Sequence, residues 1–160
     1  MSSSEIHIYT DGSSRGNPGP GGYGIILLYG HHRKEMSKGF RLTTNNRMEL
    51  MAVIEALKAL KKNEHPIVVH TDSQYVVNAV NKGWLKTWIS TNFKGGKKNK
   101  DLWLQFHEVS KPFKLKLIWI KGHNNHHLNE RCDELATTAA DGHHLHSDKA
   151  YEEEISKSEK

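Results

Sequence analysis

Residues 6–29 read IHIYTDGSSRGNPGPGGYGIILLY, and this stretch decides the fold. Ile6-His7-Ile8-Tyr9-Thr10 alternates in the period-2 pattern of a strand with one buried face. The run ends on Asp11. Five glycines and two prolines then fall within residues 12–22, the composition of a bend. Residues 23–29 read as a returning strand, and Gly30-His31-His32 as the turn into a third strand over residues 34–42. Three successive strands joined by turns make an antiparallel meander.

After the meander the period changes. Leu50, Val53, Ile54, Leu57 and Leu60 recur at helical spacing, with Asn45 or Asn46 placed to cap the helix. Pro66 precedes a buried-looking fourth strand, residues 67–71, and Ser73 caps a helix through about Asn81. A short helix over residues 84–91 is broken by Gly95-Gly96 and resumes over 100–110. Residues 115–120 form the fifth strand and 129–140 the last helix, which stops near Gly142. The pattern predicts an α/β fold: a five-stranded mixed sheet, a three-strand meander plus two parallel strands, with helices on both faces. A right-handed crossover pairs strands one and four in parallel. Asp11 and Asp72 then stand side by side at strand carboxyl ends, where α/β sheets bind ligands. Residues 1–142 read as one domain and 143–160 as a polar, peripheral tail.

The chain has 160 residues, enough for one domain with a real core. No apolar run reaches membrane-spanning length, and Met1-Ser2-Ser3-Ser4 opens no signal-peptide core. Cys132 is the single cysteine, which excludes an intramolecular disulfide and fits a reducing, cytoplasmic setting. The net charge of +5 is uneven: residues 82–121 hold ten lysines and two acids, residues 141–160 six acids and three lysines. A basic middle favours a polyanionic partner. Its lysines are interleaved with Trp84, Trp88 and Phe93, which a merely solvated helix face would not need.

Four carboxylates stand at informative places. Asp11 and Asp72 end strands, Glu49 lies in the first turn of a helix, and Asp133 lies within the last helix. Singly, an Asp at a strand end is most often a turn residue or a helix cap. Together the four can converge on one point, where they repel unless cations lie between them. Such hard oxygen ligands suit Mg²⁺ or Mn²⁺. Two such ions can activate a water and stabilise a leaving oxygen at phosphorus.

The stretches TDGSSRGNPGPGGYG (residues 10–24), TTNNRMEL (43–50), TDSQYV (71–76), DLW (101–103), KGH (121–123) and NERCDELA (129–136) together resemble the type 1 ribonucleases H, closest to the bacterial single-domain enzymes. They recur in that family's order over residues 6–140. The resemblance implies the ribonuclease H-like fold and a monomeric endonuclease that binds an RNA–DNA hybrid and cleaves its RNA strand, leaving 5′-phosphate and 3′-hydroxyl ends. It implies that Asp11 bridges two Mg²⁺ ions, that Glu49 and Asp72 complete one shell, and that Asp133 holds the other. His123 matches the catalytic histidine, a group suited to proton transfer near neutral pH.

Resemblance also places substrate contacts. Thr44 and Asn99 match the pocket for a DNA-strand phosphate, with Arg41 nearby but one position off the basic residue of the family. Residues 82–100 match a basic protrusion, in which Phe93 replaces a tryptophan and the loop after it is shortened. There Trp84, Trp88 and Phe93 can stack on DNA sugars while Lys94, Lys97 and Lys98 meet phosphates. Trp84 reads equally as core, and Trp103 and Trp119 read as core. Asn17, Asn45 and Gln74 can read ribose 2′-hydroxyls and minor-groove edges; helix capping is the rival role for Asn45. Between His123 and Asn129 the chain departs from the family pattern at Asn124-Asn125 and His127-Leu128.

Rival readings are weaker. A zinc cluster of His123, His126, His127 and Cys132 lacks a companion cysteine pair; His126 and His127 read as ordinary loop histidines. A non-catalytic hybrid-binding protein would not need four acids facing phosphate. An integrase-like transferase would not carry TTNNRMEL and NERCDELA.

Overall fold

The computed structural model describes residues 5–60, 65–95, 97–121 and 126–158. Its elements run β1 (Ile6–Ser14), β2 (Gly19–Tyr29), β3 (His32–Thr43), α1 (Asn45–Lys58), β4 (Ile67–Thr71), α2 (Gln74–Asn81), α3 (Trp84–Ser90), α4 (Lys100–Ser110), β5 (Leu115–Trp119), α5 (His127–Ala140) and α6 (Lys149–Ser158). The strands form one sheet in the order β3-β2-β1-β4-β5. β1, β2 and β3 pair antiparallel, while β1, β4 and β5 pair parallel. The predicted mixed five-stranded sheet is therefore the observed one.

The core gathers on one side of this sheet. Ile8 and Ile25 pack with Met48, Leu50, Val53, Ile54 and Leu57 of α1 and with Trp103 of α4. Trp103 is fully buried, and its indole N–H donates to the Tyr75 hydroxyl at 2.8 Å. Each such side chain withdrawn from water contributes about 1.5–3 kcal/mol before entropy is counted.

Helix α5 covers the other side, and this explains the glycines. The stretch expected as a bend is mostly strand: Gly12 pairs with Tyr23, Ser13 with Gly22 and Ser14 with Gly21. A Cβ on Gly22 would stand 2.5 Å from the Ala136 carbonyl oxygen. A Cβ on Gly24 or Gly39 would collide with the carbonyls of Cys132 and Ala139. These glycines let a helix lie directly on the sheet, a use of glycine in strands distinct from turning.

Three further placements differ from the sequence reading. Helix α1 is capped by Thr44, whose hydroxyl accepts from Arg47 N at 3.2 Å; Asn45 instead accepts from Ser14 N at 2.8 Å. Trp119, expected in the core, is 43% exposed, because it ends an edge strand; its indole N–H donates to the Asp72 carbonyl at 3.1 Å. Residues 143–158, read as a peripheral tail, are tied down. His146 N donates to Gly39 O at 2.8 Å and Arg41 N to His146 O at 2.9 Å, and Asp148 is buried before α6 begins.

Candidate active site

Thr10 and Thr71 are register partners across the parallel β1–β4 pair, so Asp11 and Asp72 come next at the same level. Gly12 brings in the third acid. A Cβ there would collide with Glu49 N and Met48 C, so only glycine lets the first turn of α1 rest against β1. One ligand oxygen from each of Asp11, Glu49 and Asp72 then lies within 4.8 Å of the others. Among the described residues this is the one group of three or more such side chains drawn this close. Asp133 approaches Asp11 from α5, outside that triangle.

The electrostatics reflect the crowding. Burial pushes Asp11 up to about 8, and the charges of Asp72 and Asp133 add to the rise. Glu49 is held well above the usual carboxylate range, first by burial and then by Asp11 and Asp72. Glu49 Oε1 is buried without a hydrogen-bond partner. An unpaired buried acceptor is costly, and so is a cluster of acids with no cation among them. Both costs vanish if a divalent cation sits between the acids. The donor set is all oxygen, which fits a hard ion.

The other candidates divide into groups. Asn17, Thr44, Lys98 and Asn99 line one cavity of about 220 Å³, together with Asn46 and with Tyr151, Glu154 and Ile155 of α6. Asn17 Oδ1 accepts from Asn45 N at 3.1 Å, which ties two candidates to each other. Gln74 is exposed at the start of α2, next to Ser73, which caps that helix. Trp84 is 41% exposed and therefore not core. Trp88 is half-buried and carries Lys97 Nζ 5.8 Å from its ring centroid. Phe93 is only 7% exposed and lies 6.4 Å from the Trp88 ring, so it supports Trp88 from within the core and offers no open face. Lys94, Lys97 and Lys98 are exposed. Arg41 is engaged elsewhere, in an ion pair with Glu152 at 2.8 Å.

His123 lies outside the described residues. His126 is not an idle loop residue: its Nδ1 accepts from Asn129 N at 3.4 Å and caps α5. The zinc alternative loses its thiolate. Cys132 is buried and donates to the Tyr9 carbonyl at 3.3 Å, and burial holds its thiol far above the usual range.

Sequence reasoning missed one polar centre. Arg47 is 1% exposed and uses all five of its N–H donors. It donates to Asp101 at 2.9 and 2.7 Å, to Asp148 at 2.7 and 2.9 Å, and to Asn99 Oδ1 at 3.3 Å. Asn99 is thereby fixed, and its Nδ2 donates to the Tyr75 hydroxyl at 3.0 Å. The one local trace is Arg47 itself, on the helix stripe of Leu50 and Ile54; its pairing with Asp101 and Asp148, 54 and 101 residues away, leaves none.

The same ordering of residues is found in known proteins. The RNase H family profile matches residues 3–141. Ribonuclease H of Desulforamulus reducens is 52% identical over 140 residues, covering 85% of this chain and 87% of that one. Ribonuclease H of Idiomarina loihiensis is 52% identical over 145 residues, covering 88% and 91%. Among solved structures, LC9-RNase H1, described as a type 1 RNase H with the type 2 active-site motif, superposes with a TM-score of 0.77 at 32% identity, covering 85% of this chain and 72% of that one. LC11-RNase H1, solved in complex with an RNA/DNA hybrid, superposes with a TM-score of 0.65 at 27% identity, covering 85% and 96%. With a profile spanning nearly the whole chain and relatives at half identity, this protein belongs to the ribonuclease H family, as a type 1 member.

Proposed function

We propose that the chain hydrolyses the RNA strand of RNA–DNA hybrids, with Asp11, Glu49, Asp72 and Asp133 holding Mg²⁺ at the reacting phosphate. The observation that carries the metal assignment is the convergence of three acid oxygens within 4.8 Å, one carboxylate among them with a buried oxygen that lacks any partner. Bound there, two Mg²⁺ ions supply Lewis-acid stabilisation of charge at phosphorus and a lowered pKa for water, with Mn²⁺ a workable substitute.

The protein's own groups position the duplex. Gln74 and the amides of Asn17 and Asn45 are offered to 2′-hydroxyls and base edges of the RNA strand. The oxygens of those two asparagines are already engaged by Asn45 N and by Ser14, so their Nδ2 groups are the donors left for RNA. The cavity bearing Thr44 and Asn99 takes a DNA-strand phosphate, with Lys98 at its rim. Trp84 and Trp88 meet DNA sugars, and Lys94 and Lys97 meet phosphates beyond them. His123 serves proton transfer at the reacting water or at the departing product. Residues 1–142 carry this machinery and 143–158 brace it. No described helix is long and apolar enough to cross a membrane; the cytoplasm and a monomeric state complete the reading.

The test is cleavage of end-labelled RNA–DNA, RNA–RNA and DNA–DNA duplexes, each with Mg²⁺ and with EDTA. Cutting of RNA in the hybrid alone, dependent on Mg²⁺ and leaving 5′-phosphates, supports the proposal. Mg²⁺-independent cutting, or cutting of all three duplexes, overturns it.

A further inference from the structure

The face of the sheet that carries Asp11 continues away from the acids as a row of rings. Alternation puts His7, Tyr9 and Asp11 on one face of β1, and Tyr9 is in register with His70 on β4. The His70 ring stacks on Tyr9 with centroids 4.3 Å apart and on His7 with centroids 5.3 Å apart. His7 Nδ1 and His70 Nε2 face each other at 3.0 Å. The second nitrogen of His7, Nε2, lies 3.7 Å from Glu5 Oε1.

We infer that His7 and His70 form a binding site for a divalent transition metal, Cu²⁺ or Ni²⁺, separate from the carboxylate cluster. Metal–imidazole bonds of about 2.0–2.1 Å set two cis donors at near-right angles about 2.8–3.0 Å apart. The two ring nitrogens already stand at that separation, on adjacent strands whose pairing fixes it. Near-right angles between nitrogen donors are the preference of Cu²⁺ and Ni²⁺, while Mg²⁺ favours oxygen. The two sites therefore select different ions. The Glu5 carboxylate, 3.7 Å from His7 Nε2, is too far for a hydrogen bond, but its charge favours the proton on Nε2 and leaves the Nδ1 lone pair to the ion. Both imidazoles are partly exposed, so an ion can reach them and water can complete its coordination.

Without metal, one nitrogen of the pair carries the proton of an N–H···N hydrogen bond. Binding exchanges that bond for two N–metal bonds. The His70 proton moves from Nε2 to Nδ1 through solvent, so no net proton is released. His126 lies across Tyr9, 5.3 Å between ring centroids, and spends its Nδ1 on capping α5; it is not part of the pair.

The test uses Cu²⁺–iminodiacetate, which keeps open positions for two imidazoles, titrated into the folded protein and read by EPR and by amide NMR. The wild type should bind one equivalent with the EPR signature of two imidazole nitrogens added to the chelator's own amine nitrogen, and amide signals near Ile8 and Val69 should broaden first. His7→Gln and His70→Gln should each weaken that equivalent by at least about tenfold, whereas Asp11→Asn and His126→Gln should keep it. Retention in either His7→Gln or His70→Gln, or loss in Asp11→Asn, overturns the site. So does wild-type broadening centred on His31-His32 or His143-His144, a readout that needs no variant to fold.

Discussion

Arg47 and Asp148 lie 101 residues apart in sequence and 2.7 Å apart in space, both buried. A buried guanidinium with every N–H satisfied holds three parts of the chain together: the start of α1, the start of α4 and the segment after α5. Thr43 Oγ1 donates to the same Asp148 carboxylate at 2.7 Å, and the Tyr151 ring lies 5.4 Å from Arg47. Asp148→Ala removes three bonds to the carboxylate, two from Arg47 and one from Thr43, and leaves a buried cation short of its counter-ion. It should cost about 3–5 kcal/mol, measured by urea denaturation. An Arg47→Met, Asp148→Leu double variant, which removes both charges, should recover much of that loss. A single variant as stable as the wild type would mean that the segment after Gly142 is peripheral after all.

Asp11 should weaken the metal-free fold. Its pKa is raised from an ordinary 3.8 to about 8, so between these values the folded state binds more protons than the unfolded state. The stability this contributes is full below about pH 4 and is lost as pH climbs through about 8. His70 works the opposite way: burial, with help from His7 and His126, depresses it to about 4, so its contribution is lost as pH falls. The comparison of wild type with Asp11→Asn isolates the first effect. In EDTA the variant should melt about 3–8 °C higher at pH 8, roughly 1–2 kcal/mol, with the gap closing toward pH 4. Saturating Mg²⁺ should narrow or reverse the gap at pH 8, while hybrid cleavage is abolished in the variant. A variant less stable than wild type in EDTA at pH 8 would contradict the repulsion argument.

The sheet and most helices were legible because their signals are local. Residues 67–71 are a short apolar run behind a proline, Ser73 caps the helix after them, and the helix expected over 100–110 is the one observed. The acids were legible because register carries over: once strands one and four are parallel, Asp11 and Asp72 must be neighbours. The glycines misled because one residue type serves two purposes. Gly22 read locally as part of a bend, and Gly24 and Gly39 as unremarked strand positions, yet all three are flat places for α5, which lies more than a hundred residues downstream of Gly22 and Gly24 in sequence. Arg47 and Asp148 were illegible for the same reason, since an ion pair at long range leaves no periodicity. Trp119 was misplaced because its own strand pattern is apolar and only the sheet order shows that β5 is an edge.

Trp84 and Phe93 should separate cleanly although both were expected to stack on the substrate. Phe93 is buried beside Trp88, so Phe93→Ala opens a cavity and should cost about 3 kcal/mol or more. Trp84 is exposed, with Lys82 Nζ 5.6 Å from its ring centroid. Trp84→Ala should leave stability within about 0.5 kcal/mol and raise KM for the hybrid several-fold. Thermal melts and steady-state kinetics on the two variants check this; the reverse pattern would move Trp84 into the core and Phe93 onto the substrate.

The basic protrusion should act in holding the substrate. Asn92 and Phe93 adopt left-handed backbone conformations, with Gly95 close behind, and this turn carries Lys94 and leads on to Lys97 and Lys98. Lys97 is anchored over Trp88 and Lys98 at the rim of the cavity with Thr44 and Asn99. If all three meet DNA-strand phosphates, the contacts are equally strong in ground state and transition state, because they lie away from the reacting phosphorus. Neutralising all three should then raise KM and leave kcat nearly unchanged. Each lost phosphate contact should flatten the plot of log K against log salt by roughly 0.7–0.9. Hybrid binding measured across a salt series distinguishes the cases. An unchanged slope with unchanged KM would make these lysines a solvated loop, and a fall in kcat at constant KM would place one of them at the chemistry instead.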